Sequence, residues 1–315
     1  MTKRDIQLIF NFYGRYAISF TAIGYHFRKL FWQERSKNLS GKKVLVTGAS
    51  GGIGSDVVVG SIANGATVLA AARNQQKLDT LRDTIPSGQQ ERMVDVLCDL
   101  SLQKEIITMV DGFEERGEKI DALVNNVGLM IHDLTVSDEE LEASFALNLL
   151  NHYLLTTELI KRNLLSEDAV VINVSSGGMY NAPLAPVAMN NMSETYNGGV
   201  AYTLHKRGQV ALTQYWREKH KDSKLNFYVM HPGWVDTDGV KTALPTFRKI
   251  LQLVLRDESQ GADTIHWLAS EAPTQQGFDQ IWFDRKARRT HQNEQTRNAS
   301  CTINDFISFL DSKIL

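Results

Sequence analysis

The chain of 315 residues is 43% hydrophobic and 22% charged, an ordinary globular composition long enough for one large α/β domain with appendages. A net charge of -2 gives no ground for a nucleic-acid partner, and two cysteines without a Cys-x-x-Cys exclude a disulfide framework and fit a reducing, cytoplasmic setting. The eight histidines lack metal-ligand spacing, so no metal is expected, and no run of about 20 apolar residues predicts a membrane-spanning helix.

Residues 1–38 carry two apolar sets at seven-residue spacing: Ile6, Tyr13, Phe20 and Phe27, and Ile9, Tyr16, Ile23 and Leu30. Lys3, Arg4, Arg15, Arg28 and Lys29 lie among them. The pattern predicts an amphipathic N-terminal helix with a wide apolar face. Its longest uncharged run, Tyr16 to Phe27, is too short to cross a bilayer and lacks the marks of a signal peptide. Something must cover such a face: the body of the chain, a second subunit or a membrane surface. Basic residues beside aromatics favour a helix lying peripherally on a membrane.

From residue 39 to residue 290 short apolar runs alternate with helical patterns. The predicted strands are Val44–Thr47, Thr67–Ala71, Met93–Leu97, Asp121–Val124, Ala169–Val174, Leu225–Met230 and Gln280–Phe283. Their brevity and branched side chains predict an α/β, doubly wound (Rossmann), mostly parallel seven-stranded sheet with helices on both faces. Arg285, Lys286, Arg288 and Arg289 then read as a solvated exit from the last strand, and residues 291–315 as a C-terminal tail with a short helix. His231 and His205 read as structural or pocket-lining.

The unusual residues all fall just past predicted strand ends, where open α/β sheets bind ligands. After the first strand comes Gly48-Ala49-Ser50-Gly51-Gly52-Ile53-Gly54. Gly48, Gly52 and Gly54 let the backbone turn tightly and approach a pyrophosphate, which the following helix N-terminus attracts. The second strand ends on Arg73 rather than an acid. An Arg there pairs with a 2′-phosphate, so NADP(H) is favoured over NAD(H). Asp99, Asn125-Asn126-Val127-Gly128, Ser175-Ser176 and Pro232-Gly233 follow later strands. Tyr202 and Lys206 stand four residues apart on one helix face. An ammonium beside a phenol favours the phenolate, which makes the pair a device for moving a proton.

Together, Thr47-Gly48-x3-Gly52-x-Gly54, Asp99, Asn125-Asn126-x-Gly128, Asn148, the serine pair, Tyr202-x3-Lys206 and Pro232-Gly233 resemble the short-chain dehydrogenase/reductase family over residues 43–285. His231-Pro232-Gly233-Trp234 and Gln260-Gly261-Ala262-Asp263-Thr264 are similar to its retinol-dehydrogenase-like branch. The resemblance implies Tyr202 as proton donor or acceptor, Lys206 on the nicotinamide ribose, Ser176 on the substrate oxygen, and Asn148 holding a water that links Lys206 to solvent. Ser175 is the rival for the serine role. It further implies cofactor contacts from Gly48, Ser50, Gly52, Ile53 and Gly54. Others come from Asp99 and Leu100 at the adenine end, and from Asn126 and Gly128 near the ribose. Pro232, Gly233, Val235 and Thr237 complete the set near the carboxamide.

There are two departures. Val127 stands where the family usually has Ala. The 26 positions from Ser176 to Tyr202 are about twice the common spacing, and the inserted run Gly178 to Gly199 reads as a lid over an apolar pocket or as a surface loop. The reading that follows is an NADP(H)-linked oxidoreductase acting on an alcohol or carbonyl of an apolar small molecule. A nucleotide-sugar epimerase or dehydratase is an alternative, because Gly48, Gly51 and Gly54 also satisfy Gly-x-x-Gly-x-x-Gly. A cofactor-binding regulatory or scaffold protein without turnover is another.

Overall fold

A computed structural model describes residues 14, 16–33, 38–275, 277 and 279–315. At its centre lies an eight-stranded sheet in the order β3-β2-β1-β4-β5-β6-β7-β8. The strands are β1 (Lys43–Thr47), β2 (Thr67–Ala72), β3 (Met93–Leu97), β4 (Ile120–Asn125), β5 (Leu165–Val174), β6 (Asn226–Met230), β7 (Ile281–Phe283) and β8 (Lys286–Arg288). All pairings are parallel except that of β7 with β8. The order reverses direction between β1 and β4, which opens a crevice beyond their carboxyl ends.

The helices are α1 (Ala22–Lys29), α2 (Gly52–Ala63), α3 (Gln75–Asp83), α4 (Gln103–Glu115), α5 (Asn151–Lys161), α6 (Gly198–Lys219), α7 (Asp238–Ala243), α8 (Pro245–Leu251), α9 (Glu258–Glu271) and α10 (Ile303–Asp311). Successive strand residues point to opposite faces, and both faces are buried. Leu45, Leu69, Leu123 and Val171 pack with α4, α5, α6 and α10. Val44, Val46, Val68, Ala70 and Val124 pack with α2, α3 and α9. Side-chain oxygens start the helices: Asn197 accepts from the Val200 amide at 3.0 Å, and Asp257 from the Gln260 amide at 2.7 Å. Each such cap contributes about 1 kcal/mol.

Two expectations need correction. The seven-stranded sheet has an eighth strand, because Arg285 and its basic neighbours do not run out into solvent. The chain turns at Asp284 and Arg285, with φ of 49° and 57°, and Lys286–Arg288 returns antiparallel to β7. A two-residue hairpin with positive φ at both positions is normally signalled by Asn-Gly or Asp-Gly, and Asp-Arg lacks the glycine.

The N-terminal helix is also not continuous through its apolar sets. Within the described residues the chain turns at Ala17–Ser19, and α1 starts at Ala22. Phe20 is 2% exposed while Phe27, seven residues on, is 64% exposed, so the two do not share a face. Ile6, Ile9, Tyr13 and Arg15 lie outside the described residues. No helix among the described residues is long and apolar enough to cross a membrane.

Candidate active site

The switch point is stapled by Thr47 and Asn126. The Thr47 hydroxyl accepts from the backbone N–H groups of Asn126 and Val127 at 2.9 and 3.1 Å. The Asn126 side chain donates to the Thr47 carbonyl at 3.0 Å. Gly48 and Gly52 take φ of 65° and 58°, in the region that favours glycine. At Gly54 a Cβ would collide with the Gly48 carbonyl oxygen, so the helix starts tightly against the strand end. Val235 and Ile53 meet around Gly261, and Thr237 closes over Gly52, where a Cβ would lie 3.4 Å from its methyl. The glycine loop, with Ser50 in it, is thus roofed by the segment after β6.

At the far end of the crevice Arg73 projects with 69% of its side chain exposed, 3.9 Å from Asp99. Asp99 accepts from the Ser101 amide and hydroxyl at 2.9 and 2.7 Å. Leu100 is buried, and its carbonyl accepts from the Asn151 side chain. A guanidinium free to turn outward suits an anionic group arriving from solvent.

Ser176, Tyr202 and Lys206 come together where β5 ends against α6. The Ser176 hydroxyl accepts from the Gly178 amide at 3.2 Å. Burial raises the Tyr202 pKa, and the neighbouring Ser176 hydroxyl works against that rise. Ser175 is committed elsewhere, donating to the Lys206 carbonyl at 2.9 Å. Lys206 is 3% exposed, and burial lowers its pKa to about 7. Its Nζ donates to the Val174 carbonyl at 2.8 Å and to Gln209 Oε1 at 3.3 Å, and lies 5.5 Å from the Tyr202 ring centroid. A Cβ on Gly128 would stand 3.0 Å from that Nζ, so the glycine keeps the contact with the ammonium uncrowded.

Asn148, in the π-turn Ala146–Leu150 that leads into α5, bonds the Leu129 backbone through both side-chain atoms, at 2.8 and 2.7 Å. Its own carbonyl accepts from Gln209 Nε2 at 2.7 Å. Gln209 and His152 were not singled out in the sequence. The available signal was position: Gln209 follows Lys206 by three residues on one helix, within reach of the same face.

His231 and His205 are buried, at 1% and 0% exposed. His231 stacks on Phe283 at 4.2 Å, and burial holds its imidazole well below the usual histidine range. His205 Nε2 lies 2.7 Å from the Met189 carbonyl. Pro232 and Gly233 are clamped by Arg256, which donates to the Pro232 carbonyl at 3.0 Å and would be struck by a Cβ on Gly233. Phe20 of the N-terminal segment belongs to this neighbourhood. Its ring would lie 2.5 Å from a Cβ on Gly177, the residue after Ser176, and its carbonyl accepts from the Trp234 amide at 2.9 Å.

The insert from Gly178 to Gly199 is packed at its start and exposed over much of its second half. Met179, Tyr180, Ala182, Pro186 and Met189 are buried. Arg207 pins it by donating to the Met179 and Ala182 carbonyls, both at 2.8 Å. The Tyr196 hydroxyl lies 3.0 Å from the Ile131 carbonyl and 3.1 Å from buried Glu142, either of which can accept its one proton. Arg207 thus anchors the first turn of the insert, while Val187, Ala188 and Met192 to Thr195 stay exposed. Apolar side chains remain exposed around the mouth of the site: Leu129 and Leu134 on the loop after β4, and Val200 on the first turn of α6. That loop and turn touch, since Gly198 packs directly on the Ile131 carbonyl. A groove of about 470 Å3 between β3 and α4 holds none of these residues.

The family model described as short chain dehydrogenase matches residues 42–246. Dehydrogenase/reductase SDR family member 12 of Homo sapiens is 37% identical over 265 residues, covering 83% of this chain and 82% of that protein. Retinol dehydrogenase 11 of Homo sapiens is 30% identical over 234 residues, 72% of each chain. A solved short chain dehydrogenase from Burkholderia cenocepacia, in complex with NADP, has a TM-score of 0.60 at 19% identity, covering 74% of this chain and 92% of that one. The chain therefore belongs to the short-chain dehydrogenase/reductase family of oxidoreductases, which bind NAD(P) and act on alcohol and carbonyl groups of small molecules.

Proposed function

We propose that this chain is an NADP(H)-dependent oxidoreductase that interconverts an alcohol and a carbonyl on an apolar small molecule of lipid, retinoid or steroid type, with Tyr202 as general acid/base. The observation that carries the reading is the convergence of Ser176, Tyr202 and Lys206 where β5 ends, with Ser176 beside the phenol and the Lys206 Nζ 5.5 Å from its ring and next to Gly128. The residues present fit the cofactor. Gly48, Ser50, Gly52, Ile53 and Gly54 would cradle its pyrophosphate, and Asp99 and Leu100 would flank its adenine. Asn126, Gly128 and Lys206 would hold the ribose, and Pro232, Gly233, Val235 and Thr237 would line the carboxamide. Bound there, NADP(H) supplies or accepts the hydride.

The protein's own part is the proton. Tyr202 gives it to a carbonyl oxygen or takes it from a hydroxyl, and Ser176 orients that oxygen. A charged Lys206 holds the phenol closer to neutrality than burial alone would. Exposed Leu129, Leu134 and Val200 at the mouth support an apolar substrate. The name of the human retinol dehydrogenase supports it too. Arg73, exposed at the end of β2, supports selection of the 2′-phosphate. We also place a peripheral membrane-surface contact on residues 1–38, supported by the outward apolar side chains of α1.

The test combines NADPH and NADH fluorescence titrations with turnover on a panel of apolar aldehydes and alcohols. Tyr202→Phe is expected to keep NADPH binding and to lose turnover by the ~10²–10⁴ typical of a general acid/base. Arg73→Ala is expected to weaken NADPH and leave NADH nearly unchanged. Wild-type turnover in Tyr202→Phe sinks the proton role, and equal loss of both cofactors makes Arg73 a structural residue.

A further inference from the structure

Behind Lys206 lies a closed chain of buried polar groups that the proton role of Tyr202 does not use. Gln209 and Asn148 are 0% exposed, His152 1% and Lys206 3%. An ammonium has three donors and no acceptor. Lys206 gives one to the Val174 carbonyl and one to Gln209. The Gln209 atom facing it must therefore be the oxygen, which fixes the amide. Its nitrogen points the other way, with two hydrogens for two acceptors: the Asn148 carbonyl at 2.7 Å and His152 Nδ1 at 3.0 Å. An accepting Nδ1 leaves the imidazole proton on Nε2, which donates to the Val127 carbonyl at 2.9 Å. Every donor of Gln209 and His152 finds an acceptor, and the chain ends on three backbone carbonyls, those of Val174, Asn148 and Val127.

We propose that Gln209 is a positioning residue for Lys206: its amide, braced by His152, aims the ammonium at Tyr202 and the cofactor and stabilises its charged form. The proposal rests on the reading of Tyr202 and Lys206 given above. It adds to the expected part of Asn148, whose carbonyl accepts from the Gln209 amide with one of its two lone pairs. With two of its three donors held by the protein, Lys206 has one N–H to spend outward. The inner end of the chain is a poor route for a proton. Its links are an amide and a neutral imidazole, whose pKa burial and the Lys206 charge together lower to about 3. The ionisable groups facing Lys206 are Tyr202 on its own helix, His152 on α5, and His205. The last is likewise held neutral by burial, with its Nε2 3.7 Å from Glu142. Burial disfavours the ammonium, and the Gln209 oxygen opposes that effect.

The test reads Lys206 directly. The full chain is labelled with 13Cε-lysine, the Lys206 resonance is identified by its loss in Lys206→Met, and its titration is followed in wild type, Gln209→Met and Gln209→Glu. Gln209→Met fills the volume without an acceptor and is expected to move the Lys206 midpoint down by about one pH unit, a tenfold change in its protonation equilibrium. Gln209→Glu sets a carboxylate against the ammonium and is expected to move the midpoint up by at least as much. NADPH affinity, measured by fluorescence over the same pH range, is expected to follow the displaced midpoints. A merely structural role would lower stability in both variants while leaving the midpoint at its wild-type value, and that result overturns the proposal. So does a shift of the same sign in both. If Gln209→Met does not fold, Gln209→Glu decides alone, and an unmoved midpoint there is sufficient to reject the idea. A midpoint that moves in a wild-type background unable to bind NADPH at any pH rejects the catalytic reading of the site, and the positioning role with it, while leaving the hydrogen-bond chain standing.

Discussion

The first and last helices of the described residues, α1 and α10, are both short and docked on the same α/β body, and they dock by opposite rules. Helix α10 puts its apolar side inward: Phe306, Ile307 and Leu310 are buried in the larger core, while Asn304, Asp305 and Ser308 face solvent. Its start is fixed by a capping box between Thr302 and Asp305, and its end by a 2.6 Å bond from the Tyr153 hydroxyl to Asp311. Helix α1 leaves its apolar side outward, with Ile23 55%, Phe27 64% and Leu30 78% exposed. It is held instead by Phe20, lodged between Gly177 and Phe283, and by charge. Arg28 and the buried Arg256 share the carboxylate of Asp284, at 2.6 Å and at 2.7 and 2.9 Å. Apolar spacing therefore shows that a helix has a face but not where the face points. At the C-terminal end burial of that face decides, and at the N-terminal end an ion-paired anchor decides against it.

The largest expected effect tests the anchor. Asp284→Ala removes the one carboxylate between two guanidinium groups and leaves both charges under-compensated, which costs about 3–5 kcal/mol. Thermal unfolding should drop accordingly, and limited proteolysis should open the segment 16–33 before the body. A loss below about 1 kcal/mol, with that segment still protected, would mean that Phe20 alone holds it. The matching change at the other end is Leu310→Ala. It empties a fully buried position in the core and should cost roughly 2–5 kcal/mol, without any new cleavage in residues 16–33. If both variants release both ends together, the two docking modes are coupled and the comparison collapses.

How far the sequence reveals these features follows the same division. Strands buried on both faces announce themselves by runs such as Val44–Thr47 and Ala169–Val174, and the ligand edge by the residues that follow them. Gly48, Gly52, Gly54, Asn126 and Gly128 are legible because backbone geometry restricts their identity. Tyr202 and Lys206 are legible because one helical turn links them. Contacts made between distant segments are not. Nothing local marks Phe20 as the partner of Gly177, 157 positions away. Asp284 and Arg256 show their pairing only once β7 and the turn before α9 lie side by side. Gln209 is hidden for another reason: a glutamine on a helix is usually a solvated residue, and only the depth of α6 makes it a buried bridge. The insert stays ambiguous in sequence because its methionines and tyrosines suit a lid and a core equally well, and the Arg207 anchor at its start runs through carbonyls that sequence does not display.

The smallest expected effect on stability is the sharpest test of the outward face. Phe27 and Phe31 stack edge to face at 5.5 Å on the exposed side of α1, with Phe31 73% exposed and Lys29 between them in sequence. Neither ring is part of a buried cluster, so Phe27→Ser with Phe31→Ser should change unfolding by no more than about 0.5 kcal/mol per site. Rings at this position gain by entering the headgroup boundary of a bilayer, and a neighbouring lysine adds attraction to anionic lipid. The wild-type chain should thus float with vesicles of mixed phosphatidylcholine and phosphatidylserine, and the double variant should stay behind with its fold and NADPH affinity intact. Equal flotation of the two proteins would assign any membrane contact to residues other than this pair, and failure of both to float would leave the outward face of α1 to a protein partner. Loss of flotation without loss of stability would complete the contrast with α10, where the same kind of substitution at Leu310 acts on the core.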